Sequence, residues 1–482
     1  MPSEQPDEDV ANAAGALIDK RKGHPRAILY ITMIAAVAAL GGLLFGFDTG
    51  VIAGAMLFIV PDLHLGPVGQ GLVVSAVTFG ALFGALVGGL SADAIGRRRS
   101  NIAAGLSFIL GSILSAIAPN VEVLAASRVI VGMAIGLTSV AGPMYIAELA
   151  PAQHRGKMVS LFQLAVTIGI LVSYIVDRAL APAHAWRWML GLACVPGALL
   201  VIGMLPMPES PRWLMKNGAE KAARRVLELL RPPAVVEKDV EEIREDLALN
   251  LHSDWTELMT PGLRPALLIG VGLATFQQTT GINTIIYYAP EIFQKAGFDK
   301  GTTALAATIG IGVINVLSTL IAMWLVDRLG RKPLLAAGLI GMTASLATLG
   351  VAQKFGPTLG IDPGLLAPIT VGFIGLYIVC FAFSMGPIVW LMISEIFPNQ
   401  SRARASAIST AANWLANFLV SLSFPLLQLV MGPSLWFLYA AMGIAALIFV
   451  IAYVPETKGK SLEEISRQWR IQPAEAAALQ SP

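Results

Sequence analysis

A chain of 482 residues that is 55% hydrophobic and 13% charged, with a mean hydropathy of +0.70, carries more apolar side chain than one soluble core can hide. Its solvent is lipid. The net charge of +2 is uninformative by itself, but the basic clusters are not interleaved with the aromatics or motifs of a nucleic-acid binder, so no nucleic-acid partner is expected.

In chain order, a polar segment (1–26) precedes twelve stretches that reach the roughly 20 apolar residues a spanning helix requires. They lie near 27–59, 69–91, 100–118, 122–147, 156–177, 186–206, 263–293, 303–326, 333–352, 365–394, 403–430 and 433–454. The first follows a polar segment, is long and leads into further spans, so it is a span and not a cleaved leader. The long polar break falls at 207–262, where Ala222, Val226 and Leu229, and then Val240, Ile243 and Leu247, recur at helical spacing. Short surface helices that tether the two sides are expected there. Cys194 and Cys380 sit in apolar spans and read as packed hydrophobes, not as a disulfide or metal pair.

Lys and Arg crowd onto alternate loops. One side holds Lys20 to Arg26, Arg97 to Arg99, Arg155, Lys157, nine basic residues from Arg212 to Arg264, Arg328, Arg331, Lys332, Arg402, Arg404 and Lys458 to Arg470. The other has only Arg178, Arg187, Lys295, Lys300 and Lys354. By the positive-inside rule both termini and the central loop are cytoplasmic, in a multi-pass protein of the inner cell membrane.

The chain also repeats itself. Asp93, Gly96, Arg97 and Arg98 recur as Asp327, Gly330, Arg331 and Lys332, while Glu148, Pro151 and Arg155 recur as Glu395, Pro398 and Arg402. Pro208 and Glu209 recur as Pro455 and Glu456. Three motif pairs in one order define two homologous halves, the plan by which many transporters enclose a central site. The expected fold is therefore all-α, with twelve transmembrane helices in two six-helix bundles. Its expected divisions are a cytoplasmic tail (1–26), a first bundle (27–206), a helical cytoplasmic loop (207–262), a second bundle (263–454) and a second tail (455–482).

Seven segments carry a further resemblance: GGLSADAIGRRRS (88–100), PMYIAELAPAQHRG (143–156), PESPRWL (208–214), FQQTTGINTIIYYAPEIF (276–293), DRLGRKP (327–333), SEIFP (394–398) and PETKG (455–459). Together they resemble the sugar porter branch of the major facilitator superfamily. The resemblance implies alternating-access transport of a small polyol, with sugar, protons and membrane lipid as partners, no cofactor and no metal, by a chain working as a monomer. It further implies that Gln277, Gln278, Asn283, Tyr287 and Tyr288 contact the sugar or gate it from outside. Gln163, Asn315, Trp390, Asn413 and Trp414 fall where the family places its remaining sugar contacts.

The residues allow this chemistry. Amides offer donors and acceptors to adjacent hydroxyls without imposing charge, and an aromatic plate suits the C–H face of a sugar ring. An unbroken helix would set Gln278 and Asn283 about 140° apart, but Gly281 between them and Pro290 beyond permit a bend that turns both to one cavity. Asp48 and Arg128, the two charges read inside spans, are each other's expected partner. In the resembled family an aspartate at this place accompanies proton coupling. Asp93 with Arg97 to Arg99, Glu148 with Arg155, Asp327 with Arg331, and Glu395 with Arg402 set acids near bases at the cytoplasmic helix ends, beside Glu209 and Glu456. Such pairs can bias two states as a cytoplasmic gate. Gly42, Gly46, Gly50 and Gly54, and Gly80, Gly84 and Gly88, are packing residues without a substrate role.

The expected function is proton-coupled import of a hexose or pentose. A facilitative sugar uniporter and a proton-coupled cyclitol (myo-inositol) transporter are the alternatives. An intramembrane enzyme is disfavoured because His24, His64, His154, His184 and His252 lie in loops or tails and no Walker-type loop is present. A sugar receptor is disfavoured by the short tail after the last span.

Overall fold

The computed structural model describes residues 25–151, 154–249, 258, 260, 263–298, 301–397 and 401–458. The tails 1–24 and 459–482, Pro398, and the side chains of Asp327 and Arg402 lie outside the described residues.

Every regular element described is helical. In the first half α1 (Pro25–Asp62), α2 (Pro67–Ile95), α3 (Arg97–Ala116), α4 (Val121–Leu149) and α5 (Arg155–Leu180) are single spans, and α6 (Trp186–Gly191) with α7 (Cys194–Met204) forms the sixth. The connecting segment holds α8 (Pro211–Lys216), α9 (Glu220–Leu230) and α10 (Pro233–Leu249). In the second half α11 (Arg264–Thr279) and α12 (Ile282–Lys295) form the seventh span, followed by α13 (Gly301–Leu329) and α14 (Arg331–Phe355). The tenth span is again a pair, α15 (Pro363–Phe383) and α16 (Met385–Glu395), and α17 (Arg402–Met431) and α18 (Leu435–Tyr453) close the series.

Nine segments among the described residues are long and apolar enough to cross a membrane, and the last of them contains both α17 and α18. The third and seventh spans complete the twelve. Their hydropathy is diluted by what they carry: three arginines, a serine and an asparagine open α3, and glutamines and threonines surround the break of the seventh span. The tenth span breaks at Ser384 (φ −123°, ψ −94°), just ahead of Gly386 and of Pro387, which has no N–H to offer the Phe383 carbonyl.

Small residues set the closest packing. Along α1, a Cβ at Gly42 would overlap the Phe162 carbonyl, one at Gly46 the Val166 carbonyl, and one at Gly54 the Asp177 carboxyl, so α1 lies backbone to backbone on α5. Gly80 and Gly84 let α2 approach the Val129 and Met133 carbonyls of α4 in the same way.

In the connecting segment α9 buries Ala223, Val226, Leu227 and Leu230, while Leu229 is exposed. The expected face through Ala222 and Leu229 is thus rotated by one position. Val236 and Val240 of α10 pack on Leu227, and Arg231 ties the segment to the first half by donating to the Leu149 carbonyl at 3.0 Å.

The two halves meet in the middle of the spans and at the end away from the basic loops. Phe45 stacks near Trp414 with centroids 5.3 Å apart, and Phe79 lies 5.3 Å from Phe418. Nearer that end Gly71 abuts the Leu422 carbonyl, Gly312 abuts Leu171 and Tyr174, and the Tyr174 hydroxyl donates to the Ile286 carbonyl at 3.1 Å.

Candidate functional site

The seventh span breaks because Gly281 adopts φ +93°, a left-handed conformation open to glycine at little cost. Tyr377 fastens the break by donating to the Thr280 carbonyl at 2.9 Å, and Thr284 meets the Tyr439 hydroxyl at 3.3 Å. Pro290 sits within α12, so the bend is the glycine's.

This break assembles the amides. Asn283 donates to the Gln278 side-chain oxygen at 2.7 Å, so the two groups that an intact helix would separate are in direct contact. Gln278 donates to Gln277 (3.3 Å) and to Asn413 (3.1 Å), and Asn413 donates to the Gln277 side-chain oxygen at 2.7 Å and the Ala274 carbonyl at 2.9 Å. Gln277 in turn donates to the Met385 carbonyl at 2.7 Å, just beyond the break of the tenth span. Two broken helices and α17 thus converge on four mutually bonded amides.

Of the other expected contacts, Trp414 is buried beside Asn413, and its indole nitrogen is buried without a hydrogen-bond partner. Asn315 is buried on α13, Gln163 is half-buried on α5 and Trp390 is 36% exposed on α16; none of the three bonds to the amide cluster. Sequence reading passed over Asn417 and Ser421. With Ser409 and Asn413 they form a buried polar stripe at every fourth position of α17, a signal present in the sequence. Asn417 donates to the Tyr287 hydroxyl at 3.5 Å and Ser421 donates to Asn417 at 3.0 Å. Tyr287 and Tyr288 are both buried and line, with Ala53, Met56, Gln70, Glu291 and neighbouring residues, a cavity of about 220 Å³ at the end away from the basic loops.

Asp48 and Arg128 form the expected pair, with an N–O distance of 2.5 Å and both side chains at most 5% exposed. Arg128 keeps one buried nitrogen, Nε, unpartnered. Across the interface the Tyr287 phenol lies near Asp48, Arg128 and Thr49, so a residue of the broken seventh span stands between the amides and the ion pair. Asp48 is not the only buried carboxylate in a span: Asp177, read as the end of the fifth, is fully buried on α5.

At the basic end the described partners repeat between the halves, and they differ from the expected pairing of Glu148 with Arg155. Glu148 pairs with Arg97 at 2.9 Å, not with Arg155, which is exposed; Glu395 likewise pairs with Arg331 at 3.0 Å. Asp93 binds Arg97 at 3.0 Å and Lys216 at 2.9 Å. Glu209 accepts the backbone N–H of Arg97 (2.9 Å) and of Arg98 (3.1 Å), capping α3 from a segment over a hundred residues away. Glu456 caps α14 identically through Arg331 (3.1 Å) and Lys332 (3.0 Å). Ser210 and Thr457, one residue beyond each, donate their hydroxyls to Glu148 and Glu395. The pairs Asp93–Arg97, Arg97–Glu148 and Arg331–Glu395 each lie within one half.

Two bundles related by repetition, two discontinuous helices meeting at a polar cluster in mid-span and a charge pair buried beside it define a membrane transporter of the major facilitator fold. A family model described as "Sugar (and other) transporter" matches residues 34–469, and the chain belongs to that family. It is 43% identical to the D-xylose transporter of Levilactobacillus brevis over 444 residues, covering 91% of this chain and 96% of that one. It is 41% identical to the galactose-proton symporter of Escherichia coli over 434 residues, covering 89% and 92%. Among solved structures, the proton:xylose symporter XylE of E. coli, bound to 6-bromo-6-deoxy-D-glucose, is similar at a TM-score of 0.78 with 35% identity, covering 92% of this chain and 99% of that one. The chain is a transporter and not an enzyme.

Proposed function

We propose that this chain imports a monosaccharide, a pentose or hexose, together with a proton by alternating access. The observation that carries the reading is the pair of broken helices that gathers Gln277, Gln278, Asn283 and Asn413 in mid-span, with Asp48 and Arg128 buried against each other in the facing half. The sugar sits at Gln277, Gln278, Asn283 and Asn413, with Gln163, Asn315, Trp390 and Trp414 completing the walls, and Tyr287 and Tyr288 form the outer gate. Asp48 takes up the proton when a movement weakens its contact with Arg128 and yields it when the contact is restored. At the basic end Asp93, Arg97, Glu148, Arg155, Glu209, Asp327, Arg331, Glu395, Arg402 and Glu456 form the cytoplasmic gate, with the bundles divided as 27–206 and 263–454. The named relatives transport xylose and galactose, which supports a sugar of that size. Both termini are cytoplasmic, and one chain is the unit of transport because it supplies both halves around the site.

Uptake into vesicles under an imposed proton gradient tests the coupling. Asp48→Asn is expected to abolish accumulation while leaving xylose or galactose binding and exchange down a gradient. Accumulation by Asp48→Asn equal to wild type would leave the uniporter reading in its place.

A further inference from the structure

The transport reading leaves one buried acid unused. Asp177 on α5 is fully buried. Its Oδ2 accepts the backbone N–H of Gly54 at 3.1 Å, and its Oδ1 is buried with no hydrogen-bond partner. The close approach of α1 at Gly54 leaves no room for another side chain between the helices.

The titratable groups facing it are few and already engaged. On its own helix Tyr174 donates to Ile286, and Arg178 is half-buried, about 100° further round. Between Thr49 and Pro61, α1 has no titratable residue, and Asp62 is held by Trp186 (2.9 Å) and Arg187 (3.2 Å). The imidazole of His184 packs on Phe58, Arg128 of α4 is committed to Asp48, and α12 carries the phenols of Tyr287 and Tyr288 and the carboxylate of Glu291, which is bonded to Lys295 at 2.8 Å. On α13 no titratable residue occurs before Asp327. Among the described residues no cation is bonded to it, and an ionised carboxylate with one hydrogen bond and one bare oxygen is strongly disfavoured in such a setting.

We propose that Asp177 is a second proton-binding carboxyl of this transporter, neutral while the outer ends of the halves are closed and ionised when they part. Uptake forms one O–H bond at Oδ1 from a proton of the adjoining water and removes one negative charge; release returns that proton to water. The link to the cycle is the face of α5 one to two turns away, where Leu171 and Tyr174 pack on Gly312 and Tyr174 bonds Ile286 across the halves. Parting those contacts admits water beside Asp177, which favours its anion, so proton binding favours the closed outer end. The consequence rests on the alternating-access reading, but the protonation itself does not depend on Asp48.

Infrared difference spectroscopy of the purified full chain at neutral pH reads the group directly. A carbonyl band of a neutral carboxylic acid is expected in wild type, absent from Asp177→Asn and retained in Asp48→Asn. In proteoliposomes, sugar exchange is expected to decline as the external pH is raised, and less steeply in Asp177→Asn than in wild type. An identical carboxylic-acid band in wild type and Asp177→Asn would overturn the proposal, as would an unchanged pH profile. If the variant does not fold, the Asp48→Asn spectrum decides: a carboxylic-acid band retained there supports the assignment, and its absence at neutral pH, meaning an ionised Asp177, overturns it. Failure of proton coupling would be seen instead in the uptake by Asp48→Asn, so the two readings fall separately.

Discussion

Each amide of the central cluster is bonded to another, so in the proposed site a sugar hydroxyl would replace bonds already made, for a small net gain per contact. For a neutral pair that gain is about 0.5–1.5 kcal/mol, or about two- to tenfold in affinity. Gln278→Ala and Asn283→Ala are each expected to weaken binding of xylose or galactose by that factor, measured by equilibrium binding to the purified protein. Gln278→Ala should be the more damaging, because it leaves Asn283 and Asn413 each short of a partner. Unaltered affinity in both variants would remove the cluster from the site. At this scale Gln277, Gln278, Asn283 and Asn413 were legible because amides in apolar spans demand a reason. Asn417 and Ser421 were equally legible as a stripe at every fourth position. Asp177 was not: a carboxylate near a span end looks the same in sequence whether it meets water or the backbone of α1.

Between elements, a carboxylate at the end of each half caps a helix that begins immediately after a membrane turn. The sequence reveals that Glu209 and Glu456 are equivalent, but not that they bond the backbone of α3 and α14, since nothing in spacing links positions over a hundred residues apart. The same limitation produced the pairing of Glu148 with Arg155, its neighbour in the chain, in place of Arg97, its neighbour in space. The break at Gly281 was legible from the glycine, and Gly386 with Pro387 mark the one at Ser384, which the apolar run 365–394 conceals. Partial burial works to raise the Glu456 carboxyl, but the backbone amides of Lys458, Arg331, Lys332 and Thr457 outweigh it and hold the group below 4.5, its ordinary value. A folded-state value below the unfolded one means that the stabilisation is present above the ordinary value and is lost as pH falls through the lowered one. Acidification from 4.5 downward is therefore expected to lower the melting temperature of wild type more steeply than that of Glu456→Gln, which cannot ionise. Parallel slopes in a thermal-shift series would show that the cap contributes nothing through its charge.

For the whole molecule, the described contacts between halves lie at mid-span and towards the outer end, while the described ion pairs at the basic end stay within halves. With the basic end in the cytoplasm this is a state closed to the outside, and the cycle requires the contacts at Gly71 and Gly312 to part. Gly71 on α2 meets the Leu422 carbonyl and Gly312 on α13 meets Leu171 and Tyr174, so neither has space for a larger side chain when closed. Overpacking one such contact costs about 1–3 kcal/mol, whereas reversing a 99:1 population takes about 5.5 kcal/mol. One tryptophan is therefore expected to shift the balance without reversing it, and Gly71→Trp with Gly312→Trp, placed on different helix pairs, to approach reversal. The reporter is a cysteine at Met56, which is 5% exposed and lines the outer cavity, in a background lacking Cys194 and Cys380. Its reaction with an impermeant reagent in intact cells should rise in each single variant and further in the double, as exchange falls and sugar binding persists. A cysteine at Asn217 should stay unreactive throughout. Labelling at Asn217 from outside would overturn the orientation, and unchanged labelling at Met56 in the double variant would show that these contacts are not the ones that open.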